Sequence, residues 1–272
     1  MSIWVLLLLA VIQGLTEFLP ISSSGHLVVL YNFFGIENNV KLLSILLHIA
    51  TLLSVLIYYR KELLVLIKKP FCPTNRKIIV TTIFTCMVVL IIKPLIDRSF
   101  NGEWLFAFFL ITAMLLFISD YMADRNEILS RTINFKTENI KVVNNIDISN
   151  MPITYRQAII IGITQGVACF PGISRSGSTI AVSRMIGVND SARYSFLISI
   201  PIIIASFLME IIDGSVAAID VNILWLVIAM LVCMIVGIVC IKVMTRLVAK
   251  NRLAYFAYYL IILAIVLMIV GL

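Results

Sequence analysis

The sequence contains two copies of one polar segment, at residues 13–26 and 165–178, and this duplication limits the folds open to the chain. The first copy reads QGLTEFLPISSSGH and the second reads QGVACFPGISRSGS, so seven of the fourteen positions are identical at a constant offset of 152. Three exchanges change the chemistry: Glu17 for Cys169, Ser23 for Arg175, and His26 for Ser178. The duplication predicts two related halves whose polar segments have taken different chemical roles.

Six other stretches are apolar over lengths that reach or approach the ~20 helical residues needed to cross a hydrocarbon core. Composition agrees with a membrane protein, because 61% of the residues are hydrophobic and 13% are charged, whereas soluble domains have about 25% charged residues. The predicted spans are residues 42–59, 78–92, 104–119, 191–212, 221–241 and 253–272.

The first apolar run, residues 3–12, is too short to span a membrane and leads directly into Gln13, Glu17 and Pro20. Proline cannot continue a helix, since it lacks an N–H and clashes with the preceding turn. We therefore expect a re-entrant hairpin here. A cleaved signal peptide is the alternative, but no Lys or Arg precedes the run and no small-residue cleavage site follows it.

The charges of the loops predict the orientation of the chain. The loop 60–77 has six basic residues against one acidic residue, and the segment 242–252 has four basic residues. Both are expected on the cytoplasmic side by the positive-inside rule. The neutral loop 93–103 and the loop 213–220, which holds only two aspartates, fit the outer side.

The sequence therefore predicts an all-α integral membrane protein with an inverted-topology repeat. The first repeat is residues 1–120, with a re-entrant hairpin at about 3–33 followed by three transmembrane helices. The second is residues 156–272, with a hairpin at about 156–187 and three more transmembrane helices, and residues 121–155 form a polar cytoplasmic linker. Three spans in each half insert the halves in opposite orientations, and the broken helices of such repeats meet at a shared site.

Glu17 is the first candidate for that site, because a carboxylate inside an apolar segment is costly and marks function by default. Gln13 lies on the same helix face, four residues earlier. Glu17 is also the expected metal ligand, since Mg²⁺ or Ca²⁺ prefers oxygen ligands and Mg²⁺ is often held by one or two carboxylates plus substrate phosphate. A purely structural ion pair of Glu17 with an Arg or Lys is the alternative.

The residues after Pro20 offer hydroxyl groups at the start of a second short helix, where unpaired N–H groups attract phosphate. Helix capping is the alternative role for Ser22, Ser23 and Ser24. His26 follows closely enough to act as a base for Ser23, and histidine suits proton transfer near neutral pH. We expect His48, the other histidine, to be a helix-packing or hydrogen-bonded residue rather than a direct participant.

The second copy places an arginine in the corresponding break. Arg175 presents a planar fork of donors that suits phosphate oxygens and stays charged when partly buried. An ion pair with Glu17 is the alternative, and the two roles are compatible if the pair separates around substrate. The small and hydroxyl residues expected to bind substrate in the two breaks, together with Gln13, are Ser22, Ser24, Gly25, Ser174, Ser176, Gly177 and Thr179.

With these residues in place, the chain resembles the undecaprenyl-diphosphatase family of bacterial integral-membrane enzymes linked to bacitracin resistance. The motifs that carry the resemblance are QGLTEFLPISSSGHL at 13–27 and PGISRSGST at 171–179. Similarity continues through LHIAT at 47–51, YYR at 58–60 and ARYSFLISIP at 192–201, and covers most of the chain outside 121–152. The family carries Glu or Gln at the position of Gln13, so Glu17 is the only carboxylate of the motif here.

The resemblance implies hydrolysis of undecaprenyl diphosphate to undecaprenyl phosphate and inorganic phosphate at an outward-facing site in the bacterial cytoplasmic (inner) membrane. We take Glu17, Ser23, His26 and Arg175 as the catalytic set, with either Ser23 or water as the nucleophile. The expected partners are the polyprenyl diphosphate and membrane lipids, without nucleic acid, and the sequence leaves a homodimer open. A lipid transporter or flippase is the main rival, and a purely structural membrane subunit ranks last.

Overall fold

The computed structural model of the chain describes residues 2–36, 40–100, 102, 104–134, 147–212, 222–250 and 252–271, and every regular element in them is helical. The α-helices are α1 (Ile3–Phe18), α2 (Ser23–Phe34), α3 (Val40–Tyr58), α4 (Arg60–Lys68), α5 (Pro73–Ser99), α6 (Leu105–Asn134), α7 (Tyr155–Val167), α8 (Arg175–Met185), α9 (Ser191–Ile212), α10 (Ile223–Ala249) and α11 (Ala254–Val270). A short 3₁₀ helix, Ile148–Asn150, precedes α7.

Four of the six predicted spans are confirmed as helices long and apolar enough to cross a membrane, and they lie in α5, α6, α9 and α10. A fifth exists if Leu42–Tyr58 and α4 count together, although the chain bends by 78° between them. The sixth, α11, is apolar but has 17 residues, a length of about 25 Å against a hydrocarbon core of about 30 Å. The protein is a multi-pass membrane protein.

Two segments predicted as polar connections contain helix. The loop 60–77 begins with α4, and α6 continues to Asn134, well into the predicted linker 121–155. Near the end of the predicted linker, Met151 binds the start of α5, because its N–H donates to Thr74 Oγ1 (2.9 Å) and its carbonyl oxygen accepts from Lys77 Nζ (2.9 Å). Residues 135–146 and the predicted outer loop 213–220 lie outside the described residues.

Each predicted hairpin has a helix, a break and a second helix. In the first, α1 ends at Phe18 before Pro20, and α2 starts after the N-cap Ser22, whose hydroxyl accepts from the Gly25 N–H. In the second, α7 ends at Val167, and α8 starts after the N-cap Ser174, whose hydroxyl accepts from the Gly177 N–H. Both breaks therefore reuse one capping pattern at equivalent motif positions.

Helices from the two halves of the chain pack against one another. Helix α1 lies mainly against α10, α7 lies mainly against α5, and α6 lies against α11. The first helix of each hairpin thus finds its most extensive partner in the other half of the sequence. This exchange brings the breaks at 19–22 and 168–174 to the same place in the molecule.

Candidate active site

The two motif breaks are in direct contact. The backbone N–H of Gly172 donates to Ser22 Oγ (3.0 Å), and Ser176 Oγ donates to the carbonyl oxygen of Leu19 (3.2 Å). Glycine makes this approach sterically feasible at Gly25, where a Cβ atom would lie 2.9 Å from the Gly172 nitrogen. At the equivalent Gly177 a Cβ would lie 2.9 Å from Cβ of Pro20. The two motif copies therefore lie in contact, as expected from the sequence.

Glu17 is the centre of the polar cluster between the breaks. Arg175 forms an ion pair with its Oε1, while Ser23 Oγ and Gln13 Nε2 donate to its Oε2 at 2.6 and 3.0 Å. The carboxylate side chain is only 4% exposed. A buried carboxylate is tolerated when donors compensate its lost hydration, and here the donors come from both motif copies. The ion pair between Glu17 and Arg175 that the sequence left open is present.

A cavity of about 1040 Å³ opens beside this cluster. Its polar end is lined by Glu17, Ser22, Ser23, Ser24, His48, Ser174 and Arg175. Much of the remaining wall is apolar and comes from α2, α3 and α9: Leu27, Val28, Ile45, Ile49, Ile202, Ile203 and Phe207. A charged, hydroxyl-lined end joined to an apolar wall fits a ligand with a phosphate head and a hydrocarbon chain.

The other predicted substrate-binding residues do not line this cavity. Gln13 supports Glu17, Gly25 and Gly177 lie where the breaks touch, and Thr179 donates to the carbonyl oxygen of Arg175 (2.8 Å). Ser176 borders a much smaller space on another side of the Glu17–Arg175 pair, together with Ser195 and Ser199. These residues do not face the cavity, but they contact and support the residues that line it.

The expectation that His26 contacts Ser23 is wrong in this structure. Its Nδ1 lies 2.7 Å from the Ser22 carbonyl oxygen and its Nε2 lies 2.7 Å from the hydroxyl of Tyr259. The ring packs edge-on against Phe109. The cause is the geometry of α2. The His26 side chain reaches back four residues to the Ser22 carbonyl oxygen and outward to Tyr259 of α11. The Ser23 side chain points instead toward Glu17.

His48 is the residue that the sequence analysis missed. Its Nδ1 bonds to the Ser44 carbonyl oxygen (2.7 Å), and its Nε2 lies 3.5 Å from Glu17 Oε2 at the cavity wall. The available signals were its rarity, since the chain has two histidines, and its place in the family-like segment LHIAT at 47–51. Its helix carries no polar motif, and the register of α3 against α1 cannot be read from either helix alone.

Fold and site together define a class: a multi-pass helical membrane protein with a buried carboxylate, guanidinium and serine hydroxyl at the polar end of a cavity with extensive apolar walls. The family model described as "Bacitracin resistance protein BacA" matches residues 6–266. The chain belongs to this family.

Curated relatives match over nearly their full length. An undecaprenyl-diphosphatase of Carboxydothermus hydrogenoformans is 33% identical over 269 residues, which cover 97% of this chain and 95% of that protein. The undecaprenyl-diphosphatase of Thermosipho africanus is 33% identical, with 97% of this chain and 99% of the relative covered. Undecaprenyl-diphosphatase 4 of Bacillus cereus is 35% identical, with 93% and 91% covered. The resemblance stated from the motifs is thereby confirmed.

Proposed function

We propose that this protein hydrolyses undecaprenyl diphosphate to undecaprenyl phosphate and inorganic phosphate. The reaction returns the lipid carrier to cell-wall synthesis, and bacitracin resistance follows from the same activity. The observation that carries the proposal is the cavity: Ser23, Glu17 and Arg175 lie at its polar end, and an apolar wall continues from them. The names of the relatives supply the substrate, and the site supplies groups suited to phosphoryl transfer.

In the proposed mechanism Arg175 leaves Glu17 and binds the diphosphate, where its guanidinium neutralises charge on the phosphate oxygens. Ser23 Oγ attacks the terminal phosphorus, and Glu17 Oε2, which already accepts the Ser23 hydrogen bond at 2.6 Å, takes the proton. The bond from the terminal phosphorus to the bridging oxygen breaks, and undecaprenyl phosphate leaves. Water then hydrolyses the phosphoserine and releases inorganic phosphate. Direct attack by water is the variant mechanism.

A divalent cation, Mg²⁺ or Ca²⁺, is part of the proposal. The donor set fits a hard cation only in combination with substrate, because Glu17 is the only motif carboxylate in the cavity lining, which also includes Asp97 of α5. The Glu17 oxygens already accept bonds from Arg175, Ser23 and Gln13. Glu17 would be the protein ligand through the oxygen that now pairs with Arg175, and phosphate oxygens would supply further ligands. When bound, the cation would neutralise charge on the diphosphate.

The proposed placement is a bacterial cytoplasmic membrane, with the site facing outward and the two halves inserted as inverted repeats. The basic ends of α3–α4 and α10 support a cytoplasmic position for those segments. The reciprocal packing of α1 with α10 and of α7 with α5 supports a pseudo-twofold relation between the halves. In this arrangement the polar end of the cavity is reached by a lipid that presents its diphosphate on the outer side.

Phosphate release by purified protein in detergent tests the function, since detergent leaves no second compartment for a transporter to serve. We expect release from undecaprenyl diphosphate in the presence of Mg²⁺ or Ca²⁺. Ser23→Ala should lower turnover by roughly 10³-fold or more, because a nucleophile is removed, whereas Ser99→Ala, a buried serine bonded to the Ile96 carbonyl, should retain it. No release by folded wild-type protein would contradict the proposal, and near-normal turnover of Ser23→Ala would assign the attack to water.

A further inference from the structure

His26 is held at both ring nitrogens by groups other than Ser23. The Ser22 carbonyl oxygen lies 2.7 Å from Nδ1, and the Tyr259 hydroxyl lies 2.7 Å from Nε2. A carbonyl oxygen only accepts hydrogen bonds, so Nδ1 carries the proton, and Nε2 of the neutral ring accepts the Tyr259 hydrogen. The imidazole therefore has no lone pair free for the proton of Ser23, and its role must be sought in what it holds.

What it holds is an unusual turn. Ser22 is the only non-glycine residue with a positive φ among the described residues, with φ 68° and ψ 99°. Such a conformation costs free energy and persists only where the surroundings fix it. His26 fixes the carbonyl group of Ser22, and the N–H of Gly172 fixes its hydroxyl from the other motif (3.0 Å). The residue that follows this turn is Ser23.

The second motif copy provides an internal comparison. Ser174 occupies the position equivalent to Ser22, but its backbone is extended, with φ −75° and ψ 115°. Ser178 replaces His26 there, and its hydroxyl has no hydrogen-bond partner among the described residues. The copy with the imidazole has the strained turn, and the copy without it has the relaxed one. Only the strained copy presents a serine hydroxyl to Glu17.

Tyr259 is brought to His26 by the last helix of the chain. The N–H of Ala254, at the start of α11, donates to Asp120 Oδ2 (2.7 Å), and Asp120 Oδ1 accepts from Arg184 (2.7 Å). This carboxylate joins α6, α8 and α11 about one and a half helical turns before Tyr259. The start of α11 is thereby fixed, and with it the position of the phenol.

We propose that His26 and Tyr259 are positioning residues, which hold Ser22 in its positive-φ turn and so aim Ser23 at the substrate phosphorus. This inference rests on the proposed function and assigns the acceptance of the Ser23 proton to Glu17 alone. Tyr259 acts through His26, and His26 acts through the carbonyl group of Ser22. Neither side chain contacts the reacting atoms.

Substitutions at His26 separate positioning from base catalysis. Asparagine can present an amide N–H where the imidazole presents Nδ1–H, but it cannot take up a proton at neutral pH. We expect His26→Ala to lower kcat by about 10²-fold, the cost of misplacing a reacting group, and His26→Asn to recover most of that loss without changing the pH profile of kcat. His26→Asn as inactive as His26→Ala, with one ionisation missing from the profile, would assign a base role and overturn the proposal.

Tyr259→Phe removes only the hydroxyl and should lower kcat about tenfold, with KM unchanged because no substrate contact is lost. The matched control is Tyr258→Phe, at an exposed neighbour that packs its ring against Phe117, and this variant should match wild type. A Tyr259→Phe enzyme with wild-type kcat would remove Tyr259 from the proposal.

A measurement without substrate keeps this inference separate from the proposed function. The chain has two histidines, so ¹⁵N-histidine labelling gives a spectrum in which His26→Asn identifies the His26 signals. We expect the Nδ1–H tautomer for His26, and a shift of its Nε2 signal in Tyr259→Phe but not in Tyr258→Phe. The Nε2–H tautomer, or an unmoved Nε2 signal in Tyr259→Phe, would overturn the proposal even if the enzyme is active. Inactive wild-type protein with the expected spectrum would instead refute only the proposed function.

Discussion

At the scale of single residues, one buried carboxylate organises the site. Glu17 accepts hydrogen bonds from Ser23 and Gln13, pairs with Arg175, and lies 3.5 Å from the Nε2 atom of His48. Removing a charge from water is expensive unless donors surround it. The ion pair with Arg175 thus supplies the cation that the buried carboxylate needs, and in the proposed mechanism a phosphate ligand competes with Glu17 for the same guanidinium.

Arg175→Lys tests how this guanidinium is used. Lysine keeps the positive charge but loses the planar fork that can bind two oxygens at once. We expect turnover to fall by about 10²-fold, comparable to the loss of one donor that stabilises a transition state, as measured by phosphate release. Arg193→Lys is the matched control, since Arg193 pairs with Asp190 within α9 and its neighbouring turn, and it should keep wild-type activity. Equal effects of the two substitutions would argue against phosphate binding by Arg175.

At the scale of helices, the breaks between α1 and α2 and between α7 and α8 determine the geometry of the site. Their existence could be predicted from the sequence, because Pro20 and the Pro171–Gly172 pair stop a helix and Ser22 and Ser174 cap the next one. The direction in which each side chain points after the break could not be predicted from the sequence. His26 was expected to face Ser23, yet the fold supplies Tyr259 from a helix 233 residues away, a contact that no local pattern records.

Gly25→Ala should separate the two breaks. The added Cβ would lie 2.6 Å from Cζ of Phe109 and 2.9 Å from the Gly172 nitrogen, so the backbone must shift, at a cost of about 1–3 kcal/mol. Gly162→Ala is the matched control, because its Cβ would lie 2.6 Å from the Thr81 carbonyl oxygen in the α5–α7 contact. Both variants should unfold at lower temperature in detergent, but only Gly25→Ala should lose kcat in the folded state. Equal kcat values would contradict this assignment.

Asp120 connects three helices by hydrogen bonds, and its substitution should lower the stability of the protein. Asp120→Asn weakens the bond to Arg184 and the cap on the α11 N–H group, and we expect a loss of about 2 kcal/mol as a lower unfolding temperature by circular dichroism. Asp190→Asn is the control, since its pair with Arg193 is about a quarter to a third exposed and such pairs contribute about 0–1 kcal/mol. If Asp190→Asn costs as much, burial of the Asp120 pair is not the cause.

At the scale of the whole molecule, the two halves depend on each other. Six spans were predicted from apolar runs alone, and four match helices of sufficient length, because composition records burial in lipid but not bends such as the one between α3 and α4. The reciprocal packing of α1 with α10 and α7 with α5 was accessible only through the duplication. His48 entered the site through the register of α3, which depends on helices from both halves.

Dividing the chain between residues 134 and 147 tests this dependence. Each fragment keeps one motif, but the first lacks Arg175 and the second lacks Glu17 and Ser23. We expect no phosphate release from either fragment alone and recovered activity when both are produced together in one membrane. The amount of co-purified complex controls for assembly, and activity of the first fragment alone would show that Arg175 is dispensable.

Under the proposed function, the contacts of the first motif with later parts of the chain also determine when activity appears during synthesis. Ser22 is held by Gly172, and His26 by Tyr259 near the end of the chain. A chain inserted only as far as α6 therefore contains Ser23 but lacks Gly172 and Tyr259, the groups that hold the turn before it. Under the proposed roles of these residues, the hydroxyl becomes reactive only after α11 has packed against α6, and a partly synthesised chain does not act on the lipid.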